Sequence, residues 1–332
     1  MTKIYYTIAV FLFGAILFNS CKQEQPIKPV VEKKATIHVP DFNADSAYQY
    51  VKNQTDFGPR IPGSPAHEAC ANYFVAYFNQ LGFKVYNQEF KARAFDGKIL
   101  NGRNIVAAIN PENQNRILLC SHWDSRPFAD QDKDPKNHYT PIDGANDGAS
   151  GVGVLMEVAR QLQFQNPTIG IDIVLFDLED YGQHAEIKSN AASEETWGLG
   201  SQYWSKNPHL PGYDARYGIL LDMIGAKGAV FYREYFSNLY APSIINKVWK
   251  AAANIGYSDY FKNEEGGTVL DDHVFVNRFA TIPTIDIIHY DTELGGIFFP
   301  HWHTVEDNLD KIDPFSLKIV GQTLLEVIYK EQ

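Results

Sequence analysis

Four short apolar runs in this chain scarcely alternate: "RILLCSH" (116–122), "IDIVLFDL" (171–178), "ARYGILLDMIG" (215–225) and "IPTIDIIHY" (282–290). A strand wetted on one face alternates apolar and polar residues, so non-alternating runs bounded by turn residues predict strands buried on both faces. Two more runs, "FKVYNQEF" (83–90) and "GRNIVAAI" (102–109), also read as strands. Helical patterns lie between and after them. In "GVGVLMEVARQLQ" the residues Leu155, Val158, Ala159 and Leu162 keep the three-and-four spacing of one buried helix face. "APSIINKVWKAAANIG" and "DPFSLKIVGQTLLEVIYK" behave likewise, the latter with Asp313 as N-cap and Pro314 in the first turn. Strands alternating with helices predict an α/β fold: a single domain with a central mixed, mostly parallel sheet flanked by helices.

In such sheets the working site lies beyond the carboxyl ends of the strands. Those ends are where this sequence concentrates acids and histidines. "CSHWD" carries His122 and Asp124, "LFDLED" carries Asp177, Glu179 and Asp180, and "LLDMIG" carries Asp222. "DGANDGASG" offers Asp143 and Asp147 before a helix, and the last strand leads to "HWHT" with His301 and His303. Imidazole and carboxylate without thiolate is a donor set suited to zinc. Any one of these residues alone reads as a cap, a turn or a satisfied core group. Adjacent acids at the mouth of a buried strand need a cation or a donor network. If "DLED" is extended, Glu179 and Asp180 point to opposite sides, and an extended "HWH" puts His301 and His303 on one side.

The first twenty residues have one lysine, an apolar run from Ile4 to Phe18, then Asn-Ser before Cys21. The run is short for a membrane span, so 1–20 reads as a signal peptide. The small residue followed by Cys21 resembles the lipobox of bacterial lipoproteins, which implies acylation of Cys21, with an ordinary secretion signal or a short anchor as the alternative. Export to the periplasm or a membrane-tethered location is the expectation. Residues 21–41 are polar and proline-containing, a tether, and the catalytic domain is expected over 42–332. Cys70 and Cys120 sit in helix-like and apolar surroundings and read as buried small hydrophobes rather than a disulfide. The net charge of −11 argues against nucleic acid, whose phosphates demand Lys and Arg.

Taken together, "HWD" (122–124), "ANDGASGV" (145–152), "LED" (178–180), "GLGS" (198–201), "LLDMIGA" (220–226), "DDH" (271–273) and "WHTVEDNLDKID" (302–313) resemble, in order and spacing, the zinc aminopeptidase-like (M28-type) α/β family. The resemblance covers nearly all of 42–332 and implies that family's hydrolase-like fold. Two branches fit. "LDDH" and the Asn308 of "WHTVEDN" resemble the bacterial form of glutaminyl-peptide cyclotransferase, which converts N-terminal glutamine of peptides to pyroglutamate with one zinc. The alternative is a di-zinc aminopeptidase, for which His122, Asp147, Asp180, Asp222 and His303 would all be ligands.

For the cyclotransferase branch the resemblance implies Asp147, Asp180 and His303 as ligands of one Zn²⁺ and Glu179 as general base and acid. Asp222 and Asp271 would form an orienting carboxylate network, with Asp272 and His273 as outer partners. Trp197, Trp302 and Phe298 or Phe299 would wall the substrate pocket. His122, with Asp222, would mark a second-metal or vestigial position. The partners implied are peptides with N-terminal Gln. One departure stands out: the family places Glu-Glu where this chain has Glu179-Asp180, so the metal must sit closer to that strand or the backbone must lean towards it.

Overall fold

All six apolar runs become strands of one sheet in the computed structural model, which describes Met1 and residues 38–187, 196–291 and 297–331. Apart from Met1, the proposed signal peptide lies outside the described residues, as do Cys21 and all but the last four residues of the tether. Helices α1 (Ala44–Thr55) and α2 (Pro65–Gln80) precede β1 (Lys84–Arg93), β2 (Ile99–Ile109) and β3 (Arg116–His122). Next come α3 (Ala149–Phe164), β4 (Gly170–Phe176), α4 (Leu199–Lys206), β5 (Gly218–Asp222) and β6 (Phe231–Arg233). The chain continues through α5 (Tyr235–Tyr240), α6 (Pro242–Asn254), β7 (Phe261–Glu265), α7 (Asp272–Phe275) and β8 (Thr284–Ile288). It ends with β9 (Tyr290–Asp291), β10 (Ile297–Phe298) and α8 (Pro314–Lys330).

The sheet order is β1-β2-β4-β3-β5-β8. β4, β3, β5 and β8 run parallel, whereas β1 and β2 form an antiparallel hairpin added to one side. Burial explains which strands the sequence revealed most sharply. Every residue of β3, β4, β5 and β8 is buried, while β1 alternates and exposes Lys84, Glu89 and Lys91. Charge on an edge strand discourages pairing with another chain. Ile117, Leu119, Ile171 and Ile173 face one apolar cluster with α1, α3, α6 and α8. Leu118, Cys120, Val174 and Phe176 face another with Trp204 of α4 and Val276. Asp313 caps α8 by accepting from Phe315 N–H, with Pro314 following it. Cys70 and Cys120 are free and buried.

From β3 the chain crosses to β4 on one side, then returns to β5 on the other. The ends of β3 and β5 therefore flank a topological switch point. Small residues let α3 start there. A Cβ at Gly151 would lie 2.4 Å from Ser121 Oγ and 2.5 Å from the Leu221 carbonyl oxygen, and Gly148, at φ +89°, would meet the Asp124 carbonyl at 2.9 Å. Gly151→Ala is thus expected to push α3 off the sheet and destabilise the fold by about 1–3 kcal/mol in urea unfolding, the usual cost of overpacking.

Candidate active site

His122 and Asp222 are the last residues of β3 and β5, and His122 Nε2 lies 3.2 Å from Asp222 Oδ1. Asp147 comes from the loop just before α3. Its Oδ1 is 3.0 Å from His122 Nε2, and its Oδ2 is 3.5 Å from His303 Nε2. Asp180, beyond β4, brings Oδ1 to 3.1 Å from His303 Nε2. Asp147 therefore joins two buried groups, His122–Asp147–Asp222 and Asp147–Asp180–His303, each with one ligand atom per residue inside a 4.8 Å span.

The Asp147 loop is held by Asp307, whose carboxylate accepts from Asn146 N–H (2.8 Å) and Asp147 N–H (3.1 Å). Asn146 in turn accepts from Gly225 N–H at 2.8 Å, tying the loop to the end of β5. The same device recurs beyond β4. Asp124 accepts from Glu179 N–H and Asp180 N–H, both at 3.1 Å.

Two expectations about direction are corrected. The "DLED" segment is not extended: Leu178 has φ +58° and 178–180 form a bend. Residues 301–303 form a turn with His303 at φ +53°, so His301 and His303 do not share a side through strand geometry. With Met223 at +48°, three of the five non-glycine residues in this strained region among the described residues flank the site. Each costs about 1–3 kcal/mol and persists only where surrounding contacts over-determine it. His301 is half-exposed.

His303 is oriented by residues the sequence did not single out. Its Nδ1 lies 3.5 Å from Asp130 Oδ1, and Asp130 pairs bidentately with buried Arg126 at 2.8 and 2.5 Å. Burial alone would raise the Asp130 carboxyl, but Arg126 and His303 outweigh it and hold the group far below the usual carboxylate range. Nε2 is thereby left to face Asp147 and Asp180, the arrangement in which an outer carboxylate fixes a metal-binding imidazole. Arg126 also donates to the Asp180 carbonyl (2.9 Å) and stacks over Trp197 at 4.8 Å. The His303 ring stacks on Trp302 at 3.9 Å and lies parallel to Trp197 at 6.1 Å.

These residues fit a cation. Both Asp180 oxygens and Asp147 Oδ2 are buried without a hydrogen-bond donor, a costly state for carboxylates that a bound cation relieves. Without one, burial together with Asp147 pushes the Asp180 carboxyl up to about 6. The oxygen and imidazole donors are of zinc type.

A cavity of about 150 Å³ opens over this group, lined by Glu179, Asp222, Asp271, Trp197, Phe298 and Trp302 among others. Burial holds the Glu179 carboxyl well above its ordinary range. Phe298 stands in the wall, whereas Phe299 lies behind it in an apolar cluster with Met223, Val269 and Ile288. Asp271 caps α7 and forms a third buried group with His273 and Asp286. His273 Nε2 donates to Glu234 at 3.1 Å, while neither Asp272 oxygen meets a donor. Burial and neighbouring acids hold the Asp272 and Asp286 carboxyls well above the carboxylate range.

The family model of Peptidase family M28 matches residues 104–328. A glutaminyl cyclase of Bacteroides thetaiotaomicron bound to N-acetylhistamine is 55% identical, covers 89% of this chain and 100% of its own, and superposes with a TM-score of 0.87. A leucine aminopeptidase precursor from the same organism is 54% identical over 89% of this chain and 100% of its own, with a TM-score of 0.86. The glutaminyl-peptide cyclotransferase of Gloydius blomhoffii is 28% identical over 78% of this chain and 75% of its own length. With a family match over residues 104–328 and the paired ligand groups at the switch point, this chain belongs to peptidase family M28.

Proposed function

We propose that the chain is a zinc-dependent glutaminyl-peptide cyclotransferase that closes N-terminal glutamine to pyroglutamate and releases ammonia. The observation that carries this reading is the aromatic-walled cavity over the Asp147–Asp180–His303 group, in which Glu179, Asp222 and Asp271 face a space walled by Trp197, Phe298 and Trp302. Its likeness to a glutaminyl cyclase over the whole length of that protein supports it.

Zinc held by Asp147, Asp180 and His303 would supply Lewis-acid polarisation of the glutamine side-chain carbonyl. The substrate's α-amine, with a free pKa of about 8, is the nucleophile. Glu179 takes a proton from the attacking amine and hands it to the departing nitrogen. The new N–C bond closes the five-membered lactam as the amide C–N bond breaks and ammonia leaves. Asp222 and Asp271 orient the amine and leaving group. Trp197, Trp302 and Phe298 exclude water from the cavity.

The completed His122–Asp147–Asp222 group favours a second reading, a di-zinc aminopeptidase. Incubation with a Gln-initiated peptide separates the two. Loss of one ammonia from an otherwise intact peptide supports cyclisation, and release of a free amino acid, with about two tightly bound zincs per chain, supports the peptidase.

The apolar run ahead of Cys21 supports export and acylation at Cys21, which would tether the domain to a membrane through residues 21–41. Among the described residues no helix is long and apolar enough to cross a membrane. Cys21→Ser is expected to move the protein from the membrane to the soluble fraction, with the acylated N-terminal peptide lost from mass spectra.

A further inference from the structure

Asp177, the first acid of the bend, has no part in the chemistry above. It is fully buried, yet it accepts from Leu178 N–H at 2.8 Å, Arg103 N–H at 2.7 Å, and His67 Nε2–H at 2.9 and 3.0 Å. The first two donors are backbone groups fixed by the bend and by β2. His67, from the first turn of α2, is the side chain that completes the set.

His67 also touches the other brace of the bend. Its ring stacks on Trp123 at 4.4 Å and 24°, and Trp123 stands between His122 and Asp124. The left-handed turn at Leu178 is thus gripped from before by Asp177 and from after by Asp124, and His67 bonds the first and stacks on Trp123, the residue next to the second. We propose that His67 is a positioning residue for the reaction: by donating to Asp177 it holds the strained turn from which Glu179 and Asp180 project.

The chemistry follows from burial. Burial favours the protonated Asp177 carboxyl, and His67 opposes this by its charge and hydrogen bond. Once the imidazole is removed, the buried Asp177 carboxyl loses its side-chain donor and keeps only the N–H groups of Leu178 and Arg103. An under-satisfied buried carboxyl costs about 1–3 kcal/mol, which is comparable with the strain at Leu178. The turn then has an incentive to relax, and relaxation moves Glu179 and Asp180 together.

The test compares His67→Gln, whose amide nitrogen can still donate to Asp177, with His67→Leu, which cannot. His67→Leu is expected to lower kcat on a Gln-initiated peptide and to weaken zinc affinity, read by competition with a chelating dye, each by about 10–100-fold, as loss of outer support at a metal site does. KM should stay within about twofold, and His67→Gln should recover most of both losses. A folded His67→Leu protein with wild-type kcat and zinc affinity overturns the proposal. So does a Gln variant impaired as severely as the Leu variant, since that marks a packing role. If His67→Leu fails to fold, His67→Asn, polar but too short to reach Asp177, takes its place under the same criteria. The inference rests on the cyclotransferase reading only for its assay. Should the wild-type protein release no ammonia, that reading fails, while the zinc comparison still decides the role of His67.

Discussion

Glu179→Gln lowers kcat for pyroglutamate formation by about 10²–10⁴-fold, the range contributed by a positioned acid–base group. The substitution keeps size and polarity and removes the proton acceptor. Glu179 is outside the Asp147–Asp180–His303 group, so the variant should keep wild-type zinc content by atomic absorption. Its peptide affinity should also change little, because the loss falls on proton transfer in the transition state. Burial lifts the Glu179 carboxyl, so kcat of the wild-type enzyme should rise with pH as the base ionises, and that limb should vanish in the variant. Ammonia release within about threefold of wild type would remove Glu179 from the mechanism.

Asp180→Ala abolishes zinc binding and activity together, and chelation of the wild-type protein reproduces both losses. A bound metal stabilises the fold by mass action, by about 2.7 kcal/mol at a hundredfold excess over Kd, so removing it should lower the urea midpoint. The pH dependence has a definite sign. Burial raises the metal-free Asp180 to about 6 and Asp222 to about 7, above the ordinary carboxylate value near 4. A raised folded-state pKa gives stability that is complete below about pH 4 and is lost as pH rises through 6 to 7. Zinc compensates the Asp180 anion as it forms, so the stability difference between zinc-loaded and metal-free protein should widen as pH rises from about 4 through 6 and then level off. A difference that shrinks with rising pH would rule out Asp180 as a ligand.

Much of the fold was legible because burial on both faces leaves a mark in each strand separately. β3, β4, β5 and β8 needed no knowledge of their neighbours to be recognised. The antiparallel placement of β1 and β2 was not legible in that detail, since a strand's own pattern does not state its partner or direction. At the site, His122, Asp147, Asp180, Asp222 and His303 were recognisable by residue type at strand and loop ends, and the fold brings all five together. Phe298 and Phe299 were indistinguishable from sequence, because only the local turn decides which ring faces the cavity.

By itself, then, the sequence determined the strand runs, the donor chemistry and the family, because side-chain type and local periodicity are properties of neighbouring residues. Tertiary structure decided where those donors point. The bend at Leu178 is held by Asp124, 55 residues before Glu179, and the Asp147 loop by Asp307, 160 residues away. His303 is aimed by Asp130 and Arg126 across the same opening. A left-handed turn at a non-glycine residue is locally unfavourable, so no local pattern can announce it. It exists because distant carboxylates need its backbone N–H groups as donors, and that demand arises only once the chain has folded.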